Sequence, residues 1–146
     1  MEDQPKFPTS QCSKRDDSEV FAPGKAFFGQ LGWTPFPFQN SAWNWFVRGG
    51  DGLVNAPTGS GKTYSVLVPA VLGGGPPGGL RVLWITPIRA LAKEIHGSTL
   101  KLLEQSDVGW SCGIRTGDTP SSEKQKQDRR LPEVLVTTPE SLHVML

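Results

Sequence analysis

The sequence predicts an α/β fold built on a parallel sheet with helices on both faces. Three observations carry that expectation. Two continuous apolar runs of strand length, residues 81–86 (RVLWIT) and 133–137 (EVLVT), read as strands buried on both faces, as strands in parallel sheets are. A glycine-rich loop lies between a short apolar run and a helical pattern. Strand-like and helix-like segments then alternate, and right-handed crossovers between parallel strands lay helices over the sheet.

The elements follow in order. Residues 1–20 are polar, mixed in charge and aperiodic, so they are expected to be a disordered tail, leaving 21–146 as the folded unit. Residues 22–31 place Phe27, Phe28 and Leu31 on one face of a short helix, against the helix-weakening Gly24 and Gly29. Pro35 and Pro37 break regular structure, and residues 38–47 resume helical spacing with Phe38, Ala42, Trp45 and Phe46. Residues 53–56 (LVNA) read as a short strand entering the glycine loop, and 62–72 as a helix despite Pro69. GGGPPGG at 73–79 is expected to be a flexible connection. Residues 89–104 form an amphipathic helix through Leu91, Ala92, Ile95 and Leu102 or Leu103, 110–115 a weaker strand, 121–130 a polar helix, and 140 onward another helix.

Composition excludes several classes. With 146 residues, 36% hydrophobic and 20% charged, the chain suits one globular domain. A net charge of +1 gives no global pull toward polyanions, so any anion site must be local. The N-terminus has no apolar run of signal-peptide type, and the longest apolar stretch, 66–72, contains Pro69 and is too short for a bilayer. Cys12 and Cys112 lack metal-ligand spacing and read as free thiols of a reducing compartment, hence a cytosolic protein without membrane attachment. His96 and His143 are lone histidines with no metal spacing between them.

The strongest chemical signal is Ala56-Pro57-Thr58-Gly59-Ser60-Gly61-Lys62-Thr63, which fits the phosphate-loop template except for Ala56 at its first glycine. Gly59 and Gly61 let the backbone curl so that N–H groups of the Thr58–Gly61 turn converge on phosphate oxygens. The helix opening there adds its positive end. Lys62 can reach the β- and γ-phosphates, and the Thr63 hydroxyl can ligate Mg²⁺.

Thr86-Pro87, Thr119-Pro120 and Thr138-Pro139 each pair an N-cap residue with a good first helical residue. Strands of a parallel sheet end at one edge, so the first and third of these helix starts are expected beside the phosphate loop, where a row of them suits an anionic polymer. Arg89 and the Arg115-Thr116-Gly117-Asp118 turn add a cation and a bend, and residues 124–130 (KQKQDRR) are the densest basic stretch. Capped helices and basic helix faces also occur without any such role. Among the tryptophans, Trp84 is expected in the core and Trp43, Trp45 and Trp110 in packing, while Trp33 and Phe36 are the candidates for covering a base.

These residues carry a resemblance. Phe36-Pro-Phe-Gln39 resembles the adenine-reading Q-motif of superfamily 2 helicases, and 56–63 (APTGSGKT) resembles their motif I. TPIRAL at 86–91, RTGDT at 115–119 and VTTPESL at 136–142 resemble motif Ia, the DNA-contact motif that follows it, and motif Ib. Together they resemble the large helicase-related (Lhr) family, specifically its bacterial ligase-associated DExH-box branch, over residues 36–146. The resemblance implies a RecA-like P-loop NTPase domain using ATP and Mg²⁺, moving 3′ to 5′ on single-stranded DNA during repair in a bacterial-type cytosol. It implies that Gln39 contacts adenine, that Lys62 and Thr63 hold phosphate and metal, and that Thr86, Pro87, Arg89, Thr116, Gly117, Thr138 and Pro139 line a DNA track. The expected partners are the remainder of the helicase polypeptide and a DNA ligase or nuclease of the same pathway.

The chain departs from the family in one respect. No DE-x-H occurs, and neither strand 81–86 nor 133–137 ends in an acid. The water-polarising glutamate is therefore missing, as are the arginine fingers of a second motor domain, each a large contributor to phosphoryl transfer. The expectation is an incomplete, N-terminal piece of the first RecA-like domain, inactive alone. Three other readings stay open: a small P-loop kinase, a non-catalytic module binding nucleotide or single-stranded nucleic acid, and an RNA helicase fragment.

Overall fold

The computed structural model describes residues 21–146, so the expected tail at 1–20 and Cys12 lie outside the described residues. Among the described residues three helices precede three strands that alternate with three more helices: α1 (Ala22–Gln30), α2 (Pro37–Val47), α3 (Lys62–Leu72), β1 (Val82–Ile85), α4 (Arg89–Glu104), β2 (Cys112–Arg115), α5 (Ser121–Arg129), β3 (Val134–Thr137) and α6 (Pro139–Met145). The sheet has the order β1-β3-β2 and is parallel throughout, with Val82 and Cys112 both in register with Val134.

This order explains why both faces carry helices. The chain crosses from β1 past β3 to β2 through α4, then returns to β3 through α5. Two right-handed crossovers in opposite directions must lie on opposite faces. Accordingly Ala92 and Ile95 of α4 pack against Val136, Trp84, Cys112 and Ile114, whose side chains share one face. On the other face, Gln127 of α5 lies over Gly113, where an added Cβ would sit 3.1 Å from its Nε2.

The main core joins the sheet to a helical layer of α1, α2 and α3. Leu67, Val68 and Val71 of α3 are fully buried between Phe27, Phe28 and Trp43 on one side and Val134 on the other. The Trp43 ring meets Phe28 edge-on at 5.1 Å, and its Nε1 donates to the Tyr64 carbonyl at 3.0 Å. This satisfies the polar end of a fully buried indole. Gly24 now has a packing reason: a Cβ there would lie 2.9 Å from the Trp43 ring.

Several expectations need correction. Residues 53–56 form no strand; no described strand runs beside them, and an unpaired extended segment makes no ladder. The sheet is therefore limited to three strands among the described residues. β1 is half-buried on one face and open on the other: Leu83 and Ile85 are 41% and 48% exposed, because β1 is an edge strand while α5 lies over β2. Trp84 is half-buried between the two core clusters. Trp45 is exposed and folds over the 50–52 turn, donating to the Asp51 carbonyl at 2.7 Å. The GGGPPGG segment is fastened at three points: Gly75 O accepts from Trp110 Nε1 (3.1 Å), Pro76 O from Arg81 (3.3 Å), and Gly78 N–H donates to Glu133 (3.1 Å).

Candidate functional site

The glycine loop has the backbone its sequence demands. Gly59 and Gly61 have φ of 79° and 83°, a region other residues avoid, and Gly61 is the N-cap of α3. Three side chains at the loop are bonded to its backbone carbonyls. Lys62 Nζ donates to the Ala56 carbonyl at 2.5 Å, Ser60 Oγ to the Pro57 carbonyl at 2.6 Å, and Gln39 Nε2 to the Gly61 carbonyl at 3.0 Å. The donor set (a lysine, the hydroxyls of Thr58, Ser60 and Thr63, and a helix N-terminus) fits a polyphosphate, provided Lys62 exchanges its carbonyl for phosphate oxygen. For a divalent cation the fit is narrower. Thr63 offers one hydroxyl, and no group of three metal-binding side chains forms among the described residues, so phosphate and water oxygens would complete the shell.

Gln39 is only 2% exposed and is bonded at both ends of its amide. Its Oε1 accepts from the Phe36 N–H at 2.9 Å, the half of a capping box open to a phenylalanine N-cap, while Nε2 reaches Gly61. The residue thus ties the start of α2 to the phosphate loop. One amide hydrogen and one lone pair remain for a base, but presenting them requires the side chain to move outward. Nearby, Trp33 and Phe36 are 48% and 56% exposed; Trp33 meets Tyr64 edge-on at 5.8 Å and Phe36 stacks on Phe38 at 6.0 Å.

A second locus forms where all three strands end. A cleft of about 490 Å³ is lined by residues from each strand end, including Pro87, Arg89, Arg115, Gly117, Thr138 and Ser141, with Lys124 from α5. It brings together four of the seven expected track residues: Pro87, Arg89, Gly117 and Thr138. Thr86 and Thr116 are buried at 3% each, and Pro139 is exposed at the start of α6. Only Thr138-Pro139 starts a helix as expected, with Thr138 Oγ1 accepting from Ser141 N–H at 3.4 Å. The other two threonines serve turns, because their helices begin later. α4 starts at Arg89 while Thr86 accepts from Ile88 N–H, and Thr119 accepts from Thr116 N–H at 2.9 Å and donates to Ile114 O.

Two of the cleft's cations are paired with carboxylates. Arg89 meets Asp118 at 3.0 Å and Arg115 meets Asp128 at 2.6 Å. Arg115 also donates to the Lys124 carbonyl at 3.1 Å, joining β2 to α5. Ser141 and Arg115 were not singled out individually from sequence as cleft residues; the Thr138-x-x-Ser141 cap spacing was the available signal for the first. Two further groups are electrostatically distinct. Hydrogen bonds from Ser111, opposed by burial, hold the Glu133 carboxyl below its ordinary pKa. Burial pushes the Cys112 thiol up to about 12, against a smaller lowering by a hydrogen bond with Thr99.

A further cleft, of about 700 Å³, lies between α2, α3 and residues 50–55. Its lining is mostly apolar and offers little chemistry.

A phosphate loop opening a helix, on a parallel sheet whose strand ends converge on a polar cleft, defines a P-loop NTPase of RecA-like type. Residues 36–146 match the DEAD/DEAH box helicase family, and the chain belongs to that family. It is related to the Lhr helicases within superfamily 2. It is 34% identical over 150 residues to the Lhr helicase/uracil glycosylase of Escherichia coli, covering 88% of this chain and 10% of that protein. It is 37% identical over 112 residues to the ATP-dependent RNA helicase DBP3 of Vanderwaltozyma polyspora, covering 72% and 21% respectively. A structure of Mycobacterium smegmatis helicase Lhr bound to ssDNA and AMP-PNP superposes with a TM-score of 0.75 at 32% identity, over 90% of this chain and 18% of that one. The chain thus spans between a tenth and about a fifth of these relatives. Among the described residues no helix is long and apolar enough to cross a membrane.

Proposed function

We propose that this chain is the ATP- and single-stranded-DNA-binding lobe of an ATP-dependent helicase that translocates 3′ to 5′ during DNA repair, within the ligase-associated branch of the Lhr relatives. The observation that carries the reading is the pairing of a glycine phosphate loop with a cation-bearing cleft at the strand ends. The similarity to an Lhr protein bound to ssDNA and AMP-PNP supports the same pair of ligands.

In this reading Thr58, Gly59, Ser60 and Gly61 wrap the phosphates, Lys62 leaves the Ala56 carbonyl to meet the β- and γ-oxygens, and Gln39 turns outward to the adenine. Thr63 would hold Mg²⁺, which supplies charge neutralisation on the phosphates when bound. Thr86, Pro87, Arg89, Thr116, Gly117, Thr138 and Pro139 form the DNA track, the buried threonines by shaping the turns that present their neighbours. The 146 residues contain no DE-x-H, so they do not themselves supply the water-positioning acid of in-line attack. Hydrolysis then requires the remainder of a longer helicase polypeptide, and a repair ligase or nuclease is the expected functional partner in the bacterial cytosol.

The test is a titration with a fluorescent ATP analogue and Mg²⁺, comparing wild type with Lys62→Ala and following phosphate release with single-stranded DNA present. Saturable binding weakened about 10- to 100-fold in the variant, as loss of a charge-assisted contact predicts, with no phosphate release in either, supports the reading. Release dependent on Lys62 refutes the inactive-lobe assignment. Parallel titration of oligo(dT) and oligo(rU) separates DNA from RNA preference, since contacts to phosphate alone do not read the 2′-hydroxyl.

A further inference from the structure

The cleft at the strand ends contains three cations, and their surroundings differ. Arg89 is paired with Asp118 at 3.0 Å, and Arg115 with Asp128 at 2.6 Å. A phosphate approaching either guanidinium competes with a carboxylate already in contact. Lys124 has no carboxylate within ion-pairing distance among the described residues. The contact found for its ammonium is the Gly117 carbonyl at 3.4 Å, a long and weak hydrogen bond.

The helix geometry explains why this lysine, among the basic residues of α5, reaches the cleft. Gln127 and Asp128, three and four residues on, mark the sheet-facing side of α5. Gln127 donates to the Ile114 carbonyl at 3.2 Å and Asp128 accepts from Arg115. Residues at i, i+3 and i+4 share a face, so Lys124 lies on that same side, one turn nearer the strand ends. It is half-buried and lines the cleft. Lys126 is 76% exposed and meets Glu123 at 3.6 Å, while Arg129 and Arg130 are exposed and do not line the cleft. The opposite wall carries Glu140, in the first turn of α6, where a carboxylate suits the helix N-terminus.

We infer that Lys124 is a phosphate-binding residue of this cleft, holding a backbone phosphate of a single-stranded nucleic acid against the Gly117 turn. The inference rests on the proposed reading of the cleft as a nucleic-acid track. Asp118 and Asp128 engage the two arginines, Arg89 over Gly117 and Arg115 under α5, so each meets a phosphate only in exchange for its carboxylate. Lys124 is the cation that displaces a condensed counterion from the polymer's phosphate on binding.

The experiment measures binding of fluorescent oligo(dT) by the 146-residue chain across a salt series, for wild type, Lys124→Gln, Lys124→Arg, Lys126→Gln and Ser141→Trp. Each variant's thermal melt is recorded to establish that it folds. One lost phosphate contact lowers the slope of log K against log salt by about 0.7 for a single strand. Lys124→Gln is expected to show that reduction with an affinity loss of about three- to tenfold at low salt, while Lys124→Arg retains the slope and Lys126→Gln matches wild type. If Lys124→Gln keeps the wild-type slope while Ser141→Trp, which fills the cleft, abolishes binding, the track reading stands and the Lys124 assignment is overturned. Equal losses in Lys124→Gln and Lys126→Gln would reduce Lys124 to a diffuse charge effect and also overturn it. If wild type binds no oligo(dT), or Ser141→Trp binds as well as wild type, the track reading fails and takes this inference with it.

Discussion

Replacing Gln39 by alanine separates two roles that the Q-motif resemblance and the structure assign to one side chain. The wild-type amide accepts from Phe36 N–H at 2.9 Å and donates to the Gly61 carbonyl at 3.0 Å while 2% exposed. Each neutral hydrogen bond contributes about 0.5–1.5 kcal/mol net, and partners left unsatisfied away from water add to the cost. The sum is about 2–3 kcal/mol of lost stability. In urea unfolding this appears as a lower midpoint with an unchanged slope. For a domain of this size the melting temperature falls by about 8–12 °C. Gln39→Glu is expected to be no better at neutral pH, because one carboxylate oxygen still accepts from Phe36 while the other faces the Gly61 carbonyl. A loss below about 0.5 kcal/mol for Gln39→Ala would refute the claim that this side chain locks the loop. Nucleotide titrations on the same variant divide the functional roles. Equal weakening for ATP and GTP analogues means that Gln39 acts through the loop, whereas loss of ATP preference alone means that it reads the base.

Three further outcomes are expected. Glu133→Gln should cost about 1–3 kcal/mol at pH 7, since its carboxylate accepts from Gly78 N–H, Ser111 N–H and Ser111 Oγ. Because the folded pKa is depressed, that stability is full above the unfolded value of about 4.3 and is lost as pH falls below it through the folded value, so wild type and variant converge in acid. A pH-independent gap between them would contradict the carboxylate's role. Gly24→Ala should destabilise by about 1–3 kcal/mol, opposite in sign to its gain in helix propensity, because its Cβ would meet the Trp43 ring at 2.9 Å; calorimetry decides the sign. In a Cys12→Ser background, native Cys112, with its thiol pushed up to about 12, should alkylate at pH 8 on the order of a thousandfold more slowly than a free thiol, and unfolding should restore the rate.

Much of the fold was legible because its signals are local. Helix α3 runs from Lys62 to Leu72 as its apolar spacing and glycine start require, and β3 is buried along its whole length as its uninterrupted apolar run implies. The glycine loop was legible for the same reason: positive φ at Gly59 and Gly61 is a property of those residues. Pairing was not legible. Residues 53–56 carry a strand-like pattern, yet a strand exists only beside a partner and none of the described residues supplies one. RVLWIT and EVLVT look alike in composition, but the sheet order makes one an edge and the other the centre, so only the first exposes leucine and isoleucine.

The same division runs through the candidate site. By itself the sequence determined where the glycine loop lies and which glycines turn it, and that threonines and cations follow the strands. Those are matters of residue type and spacing. Tertiary structure decided which of these groups meet and which are already engaged. Thr86 and Thr119 cap turns instead of helices, Gln39, expected to contact adenine, is bonded to the phosphate loop, and two of the three cleft cations face carboxylates. A local pattern names the groups that can act. Their availability depends on long-range neighbours, and those are fixed only when the strands come into register.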